Sequence, residues 1–328
     1  MFADSQKSDA TRSGLRKPGE ANWGDWTFIV DQPAAEVDAW VVLDDITGPQ
    51  QTRVPPGNTL LLTGEPPSMR HYRASYLQQF SHIITCHASL ARGQLGGVDI
   101  QLAPQGLPWH LGIDRMNQDR VQYGYEDLID VRQPTKRGLI SVICSNKTIT
   151  RDHRARLNFV KVLESHFGSD LAVFGRGFRE IGDKWDAIAP FRFHVVLEND
   201  SVDHYFSEKL TDCFLAQSYP LYYGCPNAAQ YFSGDSFTAI DIHQPQQALE
   251  TIQKTLDLQL DQRNAEALQH SRDRVLEEYN LFSIIRRHFS QRFSRERPRN
   301  YTLYPRRHRL SLQWARLQRF RRRLSPAA

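Results

Sequence analysis

The sequence lacks long apolar runs and has few cysteines. No stretch of eighteen or more apolar residues occurs among its 328 residues, so no segment is predicted to span a membrane. The first 22 residues are polar and of mixed charge, without the apolar core of a signal peptide, and are predicted to be a disordered lead-in. The four cysteines lie far apart and form no C-x-x-C pair. Their spacing argues against a disulfide scaffold and a zinc ribbon and is typical of the reducing cytoplasm.

Acidic residues and lysine are almost missing from the end of the chain. From Arg286 onward there are fourteen arginines, one acid (Glu296) and no lysine, a local net charge of +13. The whole chain carries +4, which leaves −9 for residues 1–285. An acidic body with a strongly basic end indicates that the end has a binding partner of its own.

Short strand-like segments separated by turn signals fill the first part of the chain. With 328 residues and 40% hydrophobic content, the chain is long enough for two domains with separate cores. Turns rich in proline and glycine, such as residues 55–58, divide the apolar segments. We predict an N-terminal α/β domain over residues 23–135, with strands at Trp26–Val30, Ala39–Leu43, Thr59–Leu62 and His82–Thr85.

A more regular alternation of strands and helices follows. Leu139–Cys144 is a continuous apolar run, typical of a strand buried on both faces of a parallel sheet. A helical pattern covers Asp152–His166. The alternation predicts a doubly wound domain over residues 138–260, and a helical segment with a basic tail over 261–328. Its further strands are predicted at Leu171–Phe174, Phe193–Leu197, Pro220–Tyr223 and Phe237–Ile240.

Residues 191–232 carry the most informative pattern. A strand ending at Leu197 delivers Glu198 and Asn199 to its carboxyl end, and a helix is predicted to begin near Ser207, a favourable N-cap. Open parallel sheets bind ligands outside the carboxyl ends of their strands, beside the N-termini of following helices. Free backbone N–H groups at this helix start, together with the charge of Lys209, predict a phosphate-binding site.

The order of these residues resembles the donor domain of the alpha-1,3/1,4-fucosyltransferases, glycosyltransferase family 10, in its bacterial form. The resemblance rests on Leu197-Glu198-Asn199, Tyr205-Phe206-Ser207-Glu208-Lys209, Tyr219-Pro220-Leu221-Tyr222-Tyr223-Gly224, and the later Pro226, Ala229 and Phe232. It implies an α/β fold of the GT-B type, with two facing Rossmann-like domains. It also implies inverting transfer of fucose from GDP-fucose to a hydroxyl of a cell-surface glycan such as lipopolysaccharide.

The same resemblance implies roles for individual residues of the donor domain. Lys209 and Arg156 would neutralise the departing diphosphate, and Glu208 would accept the ribose hydroxyls. Arg154 is an alternative to Arg156, because the loop before this helix carries a few extra residues. The donor pocket would be completed by Asn146, His194, Asn199 and Tyr205.

The acceptor must lose a proton as its oxygen attacks the sugar, which requires a base. In the family this base is a glutamate of the N-terminal domain. Gly64-Glu65-Pro66-Pro67 follows a predicted strand, so Glu65 is the candidate. A Gly-Glu-Pro turn is also common as a purely structural feature, and both interpretations stay open.

Two departures from the family pattern concern the donor. His194 stands where the family usually has an aromatic residue, and Asp200 replaces a serine and adds negative charge. They leave two alternatives: a transferase that uses another nucleotide-sugar to build a surface polysaccharide, and a non-catalytic nucleotide-sugar-binding homologue.

No obligatory cofactor is predicted beside the donor substrate, and a divalent ion would at most stimulate the reaction. Asp44-Asp45 is interpreted as a turn and Asp183-x-x-Asp186 as a solvated pair, because neither has the D-x-D spacing of metal-dependent transferases. The twelve histidines form no H-E-x-x-H or mixed Cys/His pattern, so no zinc site is predicted.

The basic tail has an amphipathic helical pattern. Its apolar residues recur every three or four positions, at Leu310, Trp314, Leu317, Phe320 and Leu324, with arginines between them. This pattern favours binding to an anionic membrane surface, and hence a cytoplasmic protein on the inner face of the membrane. Packing on the acidic body is the alternative, and no nucleic-acid partner is expected.

Overall fold

The protein divides into two compact units within the residues that the computed structural model describes, which are 2–4, 20–93, 95–117, 120–146 and 151–307. Unit 1 comprises the described residues up to Gln105 and those from Phe282 onward. Unit 2 is the segment Gly106–Leu281. No helix in the described ranges is long and apolar enough to cross a membrane.

Unit 1 contains a parallel sheet and two antiparallel pairs. Its strands, in chain order, are β1 Phe2–Asp4, β2 Glu20–Trp23, β3 Trp26–Ile29, β4 Trp40–Leu43, β5 Gln50–Val54, β6 Thr59–Leu62, β7 His82–Thr85 and β8 Asp99–Leu102. The parallel sheet has the order β1-β4-β6-β7-β8, and β2 pairs with β3 as a separate hairpin. Short helices α1 (Ala74–Leu77) and α2 (Ala88–Arg92) follow β6 and β7.

Unit 2 is built around a second parallel sheet. Its strands are β9 Ile113–Asp114, β10 Arg120–Val121, β11 Gly138–Ile143, β12 Leu171–Phe174, β13 Phe191–Leu197, β14 Tyr219–Tyr223 and β15 Thr238–Ala239. Its helices are α3 Tyr125–Asp130, α4 Arg151–Phe167, α5 Lys184–Ile188, α6 Glu208–Leu215, α7 Pro245–Asp257, α8 Leu260–Arg263 and α9 Ala265–Glu277. The chain then passes through α10 (Leu281–Arg292) and ends its described part with β16 (Arg299–Leu303).

The order of strands in unit 2 places a topological switch beside β13. The sheet runs β12-β11-β13-β14-β15, all parallel, so the chain moves outward from β11 in one direction and then in the other. Phe193, Val195 and Leu197 of β13 enter a core that includes side chains of α4 and α7. The alternate residues face the other side of the sheet, where α6 packs. In such sheets the carboxyl ends at the switch are the usual ligand site.

The predicted α/β fold of two Rossmann-like units is confirmed, and several strands match their predicted bounds closely. The bounds of β6, β7 and β12 are those predicted. The segment predicted as the first strand of the N-terminal domain instead forms β3 of the hairpin. The segment that contains Pro226, Ala229 and Phe232 forms only a short 3-10 turn, at Ala228–Gln230.

The division between the units differs from the predicted boundaries of 135 and 260. Residues 106–135 belong to unit 2, because backbone amides of this segment donate to Asp183 and Asp212 and the Leu128 carbonyl accepts from Arg272. The end of the described chain belongs to unit 1, because β16 pairs antiparallel with β5. Eight of the fourteen arginines of the basic end therefore lie in a folded segment.

The two ends of the sequence lie only partly within the described residues. Phe2–Asp4, in the predicted disordered lead-in, pairs as β1 with β4, and Glu20–Trp23 pairs as β2 with β3. The rest of the lead-in, residue 1 and residues 5–19, lies outside the described residues. So does the amphipathic pattern of the tail, which begins at Leu310.

Candidate functional site

Glu198, Ser207 and Lys209 form a buried cluster at the carboxyl end of β13. The Glu198 side chain is fully buried, and its two oxygens accept from the Ser207 amide (2.7 Å) and the Ser207 hydroxyl (2.6 Å). Lys209 Nζ lies 3.5 Å from Glu198 Oε2 and 3.1 Å from Ser207 Oγ. A buried carboxylate is tolerated here because two hydrogen-bond donors and a cation surround it.

This cluster corrects one part of the predicted phosphate site. Ser207 is the N-cap of α6, as predicted, and its hydroxyl accepts from the Lys209 amide at 3.3 Å. The amide of Ser207 is not free, however, because Glu198 occupies it. The carboxylate of Glu198 thus occupies the position that was predicted for an anionic ligand. Lys209 remains the cationic group at the start of α6.

Gly224 makes room for the buried carboxylate. A Cβ atom at this position would lie 2.5 Å from Glu198 Cγ and 2.4 Å from the Tyr222 hydroxyl. Both neighbours are buried, so neither can withdraw easily. The glycine that ends the Y-P-L-Y-Y-G segment is therefore required by the packing of Glu198.

Glu208, the first residue of α6, lies among three basic side chains. Its Oε1 is 3.4 Å from Lys209 Nζ, 3.6 Å from Lys184 Nζ and 3.7 Å from His110 Nδ1. Burial raises the pKa of Glu208, but the charges of Lys209 and Lys184 outweigh it and hold the pKa well below its usual range. Glu208 is therefore an ionised acceptor, which is the state required to receive hydroxyl donors.

Lys184 and Asp212 extend this arrangement and were missed in the sequence. Asp212 is fully buried in α6, and Lys184 Nζ lies 2.7 Å from its Oδ2. Its Oδ1 accepts from the amides of His110 (2.8 Å) and Leu111 (3.1 Å). Burial lowers the pKa of His110 to about 3, so its ring stays neutral beside Glu208. The position of Asp212 on the buried face of a predicted helix could have indicated this network, since a buried carboxylate needs hydrogen-bond or ion-pair partners.

Arg156 and Asn146 lie at the same switch between β11 and β13. Arg156, on α4, is 9% exposed, and its Nη1 donates to the carbonyl of Leu197 at 3.1 Å. Its Nε is buried without a hydrogen-bond partner among the described residues. Asn146 follows β11 and is exposed, and its backbone N–H donates to the Arg176 carbonyl at 3.1 Å. The alternative residue Arg154 is exposed, so burial at the switch favours Arg156.

Three further predicted residues are placed differently from one another. Asn199 is half-buried and directly follows Glu198, at the carboxyl edge of the sheet. Tyr205 lies in the loop before α6 and is 1% exposed, so its ring serves the core of this loop. His194 lies within β13, and its Nδ1 is 2.7 Å from the hydroxyl of Ser141 on β11. With 4% exposure, His194 is enclosed in the sheet, which argues against direct contact with a donor.

The predicted base, Glu65, belongs to unit 1. It lies three residues beyond the end of β6, directly before a turn closed by bonds from the amides of Met69 and Arg70 to the Pro66 carbonyl, each 3.0 Å. Its side chain is half-buried. Glu65 thus lies near the carboxyl end of a parallel strand, as the sequence predicts.

The acidic pairs considered as metal ligands have structural partners. Asp183 is 1% exposed and is not solvated as predicted: its Oδ1 accepts from the amides of Trp185 (2.8 Å) and Gly112 (2.9 Å), capping α5. Asp44, in a turn after β4, is bonded by Arg70 and Tyr72. Across the described ranges, no group of three or more His, Cys, Asp or Glu side chains is arranged to hold a metal ion.

Residues 133–272 match the family model described as glycosyltransferase family 10 (fucosyltransferase), C-terminal. This range contains every residue that the sequence analysis assigned to donor binding. A curated relative, alpha-(1,3)-fucosyltransferase FucT of Helicobacter pylori, is 25% identical over 114 residues. That alignment covers 35% of this chain and 23% of the relative, so the similarity spans about a quarter of the relative's length.

Two solved structures are also similar. An alpha1,3-fucosyltransferase with GDP-fucose has 17% identity and a TM-score of 0.43, covering 71% of this chain and 69% of that one. A UDP-forming trehalose-phosphate synthase of Burkholderia xenovorans has 10% identity and a TM-score of 0.47, covering 78% of this chain and 73% of that one.

Proposed function

We propose that this chain, whose residues 133–272 match the model of glycosyltransferase family 10, transfers fucose from GDP-fucose to a glycan hydroxyl with inversion. The observation that carries the proposal is the cluster of Lys209, Glu208 and Arg156 at the switch between β11 and β13. A nucleotide-sugar diphosphate needs cations, and a ribose needs an ionised acceptor. Both kinds of group meet at this edge.

In the proposed reaction, Lys209 binds the diphosphate together with Arg156, whose buried Nε has no hydrogen-bond partner within the described part of the chain. Glu208 accepts from the ribose hydroxyls. Lys184 offsets the negative charge of Glu208 and Asp212, so that Lys209 does not act as their sole counter-charge. Asn146 and Asn199 flank the same edge and complete the pocket, whereas Tyr205 and His194 support it from the interior.

The chemical step is a single displacement at the anomeric carbon of fucose. Glu65 takes the proton of the acceptor hydroxyl, and the acceptor oxygen forms its bond to the anomeric carbon. The bond from that carbon to the β-phosphate oxygen breaks, and GDP leaves with the electron pair. Positive charge held in place at the leaving phosphate is the main source of the rate enhancement, and the base adds to it.

The first test is a calorimetric titration of the protein with GDP, GDP-fucose, GDP-mannose and UDP-sugars. We expect GDP and GDP-fucose to bind, and Lys209→Ala to weaken binding by about 10- to 100-fold, since a bond from a charged donor contributes roughly 1.5–3 kcal/mol. Lys254→Ala, an exposed lysine on α7, is the matched control. Because Lys209 also neutralises Glu198, thermal denaturation must show that the variant is folded.

Absence of guanine nucleotide binding, with Lys209→Ala folded and indistinguishable from the unchanged protein, would refute the proposal. Preferential binding of a UDP-sugar would favour the alternative transferase instead. If GDP-fucose binds but no fucose is transferred to lipopolysaccharide or to other surface glycans, the result would favour a non-catalytic homologue.

We further propose that the protein acts on lipopolysaccharide or a similar surface glycan at the inner face of the membrane, through residues 308–328. The proposal rests on the arginine-rich amphipathic pattern of these residues. A truncation to test it should end after Arg307, because this cut leaves β16 and the other described residues of unit 1 in place. We expect the full chain, but not the truncated one, to float with vesicles containing anionic lipid. Equal flotation of both, or binding only to nucleic acid, would contradict it.

A further inference from the structure

Three neighbouring strands of unit 1 bring a second group of polar residues together. Strands β4, β6 and β7 are adjacent and parallel, so their carboxyl ends lie at one edge of the sheet. Asp44 follows β4, Glu65 follows β6 and His87 follows β7. The residues are far apart in the sequence and form no motif, and only the strand order shows that they meet.

The backbone amide of Glu65 is held by a buried relay. The Tyr72 hydroxyl donates to the Asp44 carboxylate, and the same hydroxyl oxygen accepts from the Glu65 amide. Asp44 and Tyr72 are each 8% exposed. Arg70 forms an ion pair with the second oxygen of Asp44. The acceptor end of the relay is therefore itself anchored.

The carbonyl of Glu65 is held from the next strand. His87 Nε2 lies 2.9 Å from the Glu65 carbonyl oxygen and donates to it. His87 is 3% exposed, and its own amide donates to the hydroxyl of Thr85 at 3.1 Å. The rings of His87 and Tyr72 also contact each other edge to face, with centroids 5.3 Å apart.

Two backbone features show that Asp44 is held in a restricted conformation. Asp44 has φ of +68°, in the left-handed region that few residues other than glycine adopt. A Cβ on Gly64 would lie 3.2 Å from Asp44 Cβ, so the turn before Glu65 packs directly on this residue. The backbone of Asp44 is strained where its side chain anchors the relay.

We propose that Asp44, Tyr72 and His87 are positioning residues, which clamp the peptide groups of Glu65 at both the amide and the carbonyl and thereby fix the direction of its carboxylate. The inference rests on the proposed function, in which Glu65 is the base. A general base must lie within hydrogen-bonding reach of the proton it takes, and small displacements of a reacting group reduce rates strongly. The three residues act through Glu65 and do not themselves contact the substrate.

The test compares two tyrosines that both bond to Asp44. Tyr72→Phe removes the hydroxyl that links Asp44 to Glu65. Tyr76→Phe is the matched control, because Tyr76 is also buried and its hydroxyl donates to the Asp44 carbonyl at 3.1 Å. With GDP-fucose and lipopolysaccharide, we expect Tyr72→Phe to lower kcat by about 10- to 100-fold at unchanged KM for the donor, and Tyr76→Phe to change kcat less than threefold.

A second pair of variants tests the carbonyl side. His87→Gln keeps a side-chain N–H donor and should retain most of kcat. His87→Phe keeps the ring volume without the donor and should lose about tenfold, since one neutral hydrogen bond contributes on the order of 1 kcal/mol. Equal loss in both variants, in proportion to their fall in melting temperature, would show a purely structural role for His87.

Hydrogen exchange at the Glu65 amide tests the clamp without any activity. We expect exchange to be slow in the unchanged protein and in Tyr76→Phe, and about tenfold faster in Tyr72→Phe. Unchanged exchange in Tyr72→Phe overturns the clamp. If the unchanged enzyme is inactive, the proposed function fails while this measurement still decides the clamp. If it is active and Tyr72→Phe keeps full kcat, the clamp fails and the proposed function stands.

Discussion

Two glutamates occupy corresponding places in the two units, and their surroundings are opposite. Glu198 follows β13 in unit 2 and Glu65 follows β6 in unit 1, each just beyond the carboxyl end of a central parallel strand. The side chain of Glu198 is fully buried and bonded by Ser207 and Lys209. For Glu65 the structure holds the main chain, through Tyr72 and His87, and leaves the side chain half-buried.

The difference separates an acid that organises a site from one that is suited to react. The oxygens of Glu198 are fully buried and accept from the amide and hydroxyl of Ser207, so the proton of a substrate has no access to them. A carboxylate on a fixed backbone, with part of its surface accessible, can take a proton from a substrate. The variants below are arranged to break or sharpen this distinction.

The largest effect is expected for Glu65→Gln. The glutamine side chain cannot take the proton from the hydroxyl of the acceptor glycan. We therefore expect kcat to fall by about 10² to 10⁴, the usual contribution of a general base. The free energy of unfolding should change by less than about 0.5 kcal/mol, as for other exposed or half-exposed sites. Kinetics with GDP-fucose and a denaturant titration measure the two quantities. A variant with full kcat would remove Glu65 from the reaction and end the comparison.

Glu198→Ala should have the reverse profile. Removal of the carboxylate leaves the Ser207 amide and hydroxyl without their acceptor in a buried place, at a cost of roughly 2–4 kcal/mol in unfolding free energy. Denaturation monitored by circular dichroism measures the loss. Glu208→Ala, one step along the site and 18% exposed at its side chain, should cost clearly less. Equal stability losses in the two variants would contradict the structural role given to Glu198.

Gly224→Ala tests the same cluster from its other side. The added methyl group meets Glu198 and Tyr222 at distances that require both to move, with an expected loss of about 1–3 kcal/mol. Gly234→Ala is the control, since a Cβ there has no neighbour within 4 Å. Thermal denaturation of the pair gives the difference directly. Two identical melting temperatures would show that Glu198 has more freedom than its contacts indicate.

A more gradual effect, small over any one pH unit, is expected from pH through His194. Burial lowers the pKa of His194 to about 3, whereas an unfolded histidine titrates near 6.5. The unfolded chain therefore binds a proton that the folded chain refuses, and stability is complete above pH 6.5 and falls as the pH drops toward 3. The slope is at most about 1.4 kcal/mol per pH unit for one such group. His194→Gln should flatten the curve, and an unchanged slope would exclude His194 as its source.

The strand, the loop and the helix start around Glu198 could be predicted from the sequence, because their residues are nearly contiguous. Strand β13, its terminal Glu198 and Asn199, the N-cap Ser207 and the basic Lys209 follow one another within one strand-loop-helix segment. Local rules for strand burial and helix capping are sufficient for such a segment. These rules do not predict that Glu198 accepts hydrogen bonds from Ser207 at the start of α6.

The network around Asp212 and the clamp around Glu65 were not predictable in this way. Asp212 bonds to amides at positions 110 and 111, and Tyr72 connects Asp44 to Glu65. Each contact depends on how distant segments are brought together by strand order. The predicted boundaries between the units differ from those of the structure for the same reason. The antiparallel pairing of β16 with β5 joins residues about 250 positions apart.

The return of the chain to its first unit also sets an order of events during synthesis. Unit 2 is one continuous segment, so it can fold as soon as it leaves the ribosome. Unit 1 must wait for α10 and β16, which are made only after all of unit 2. At about 5–20 residues per second this delay is roughly 10 to 35 s. Throughout that interval β5 is an unpaired edge and the aromatic side chains that α10 later covers are exposed, so the newly made first unit is the part most in need of a chaperone.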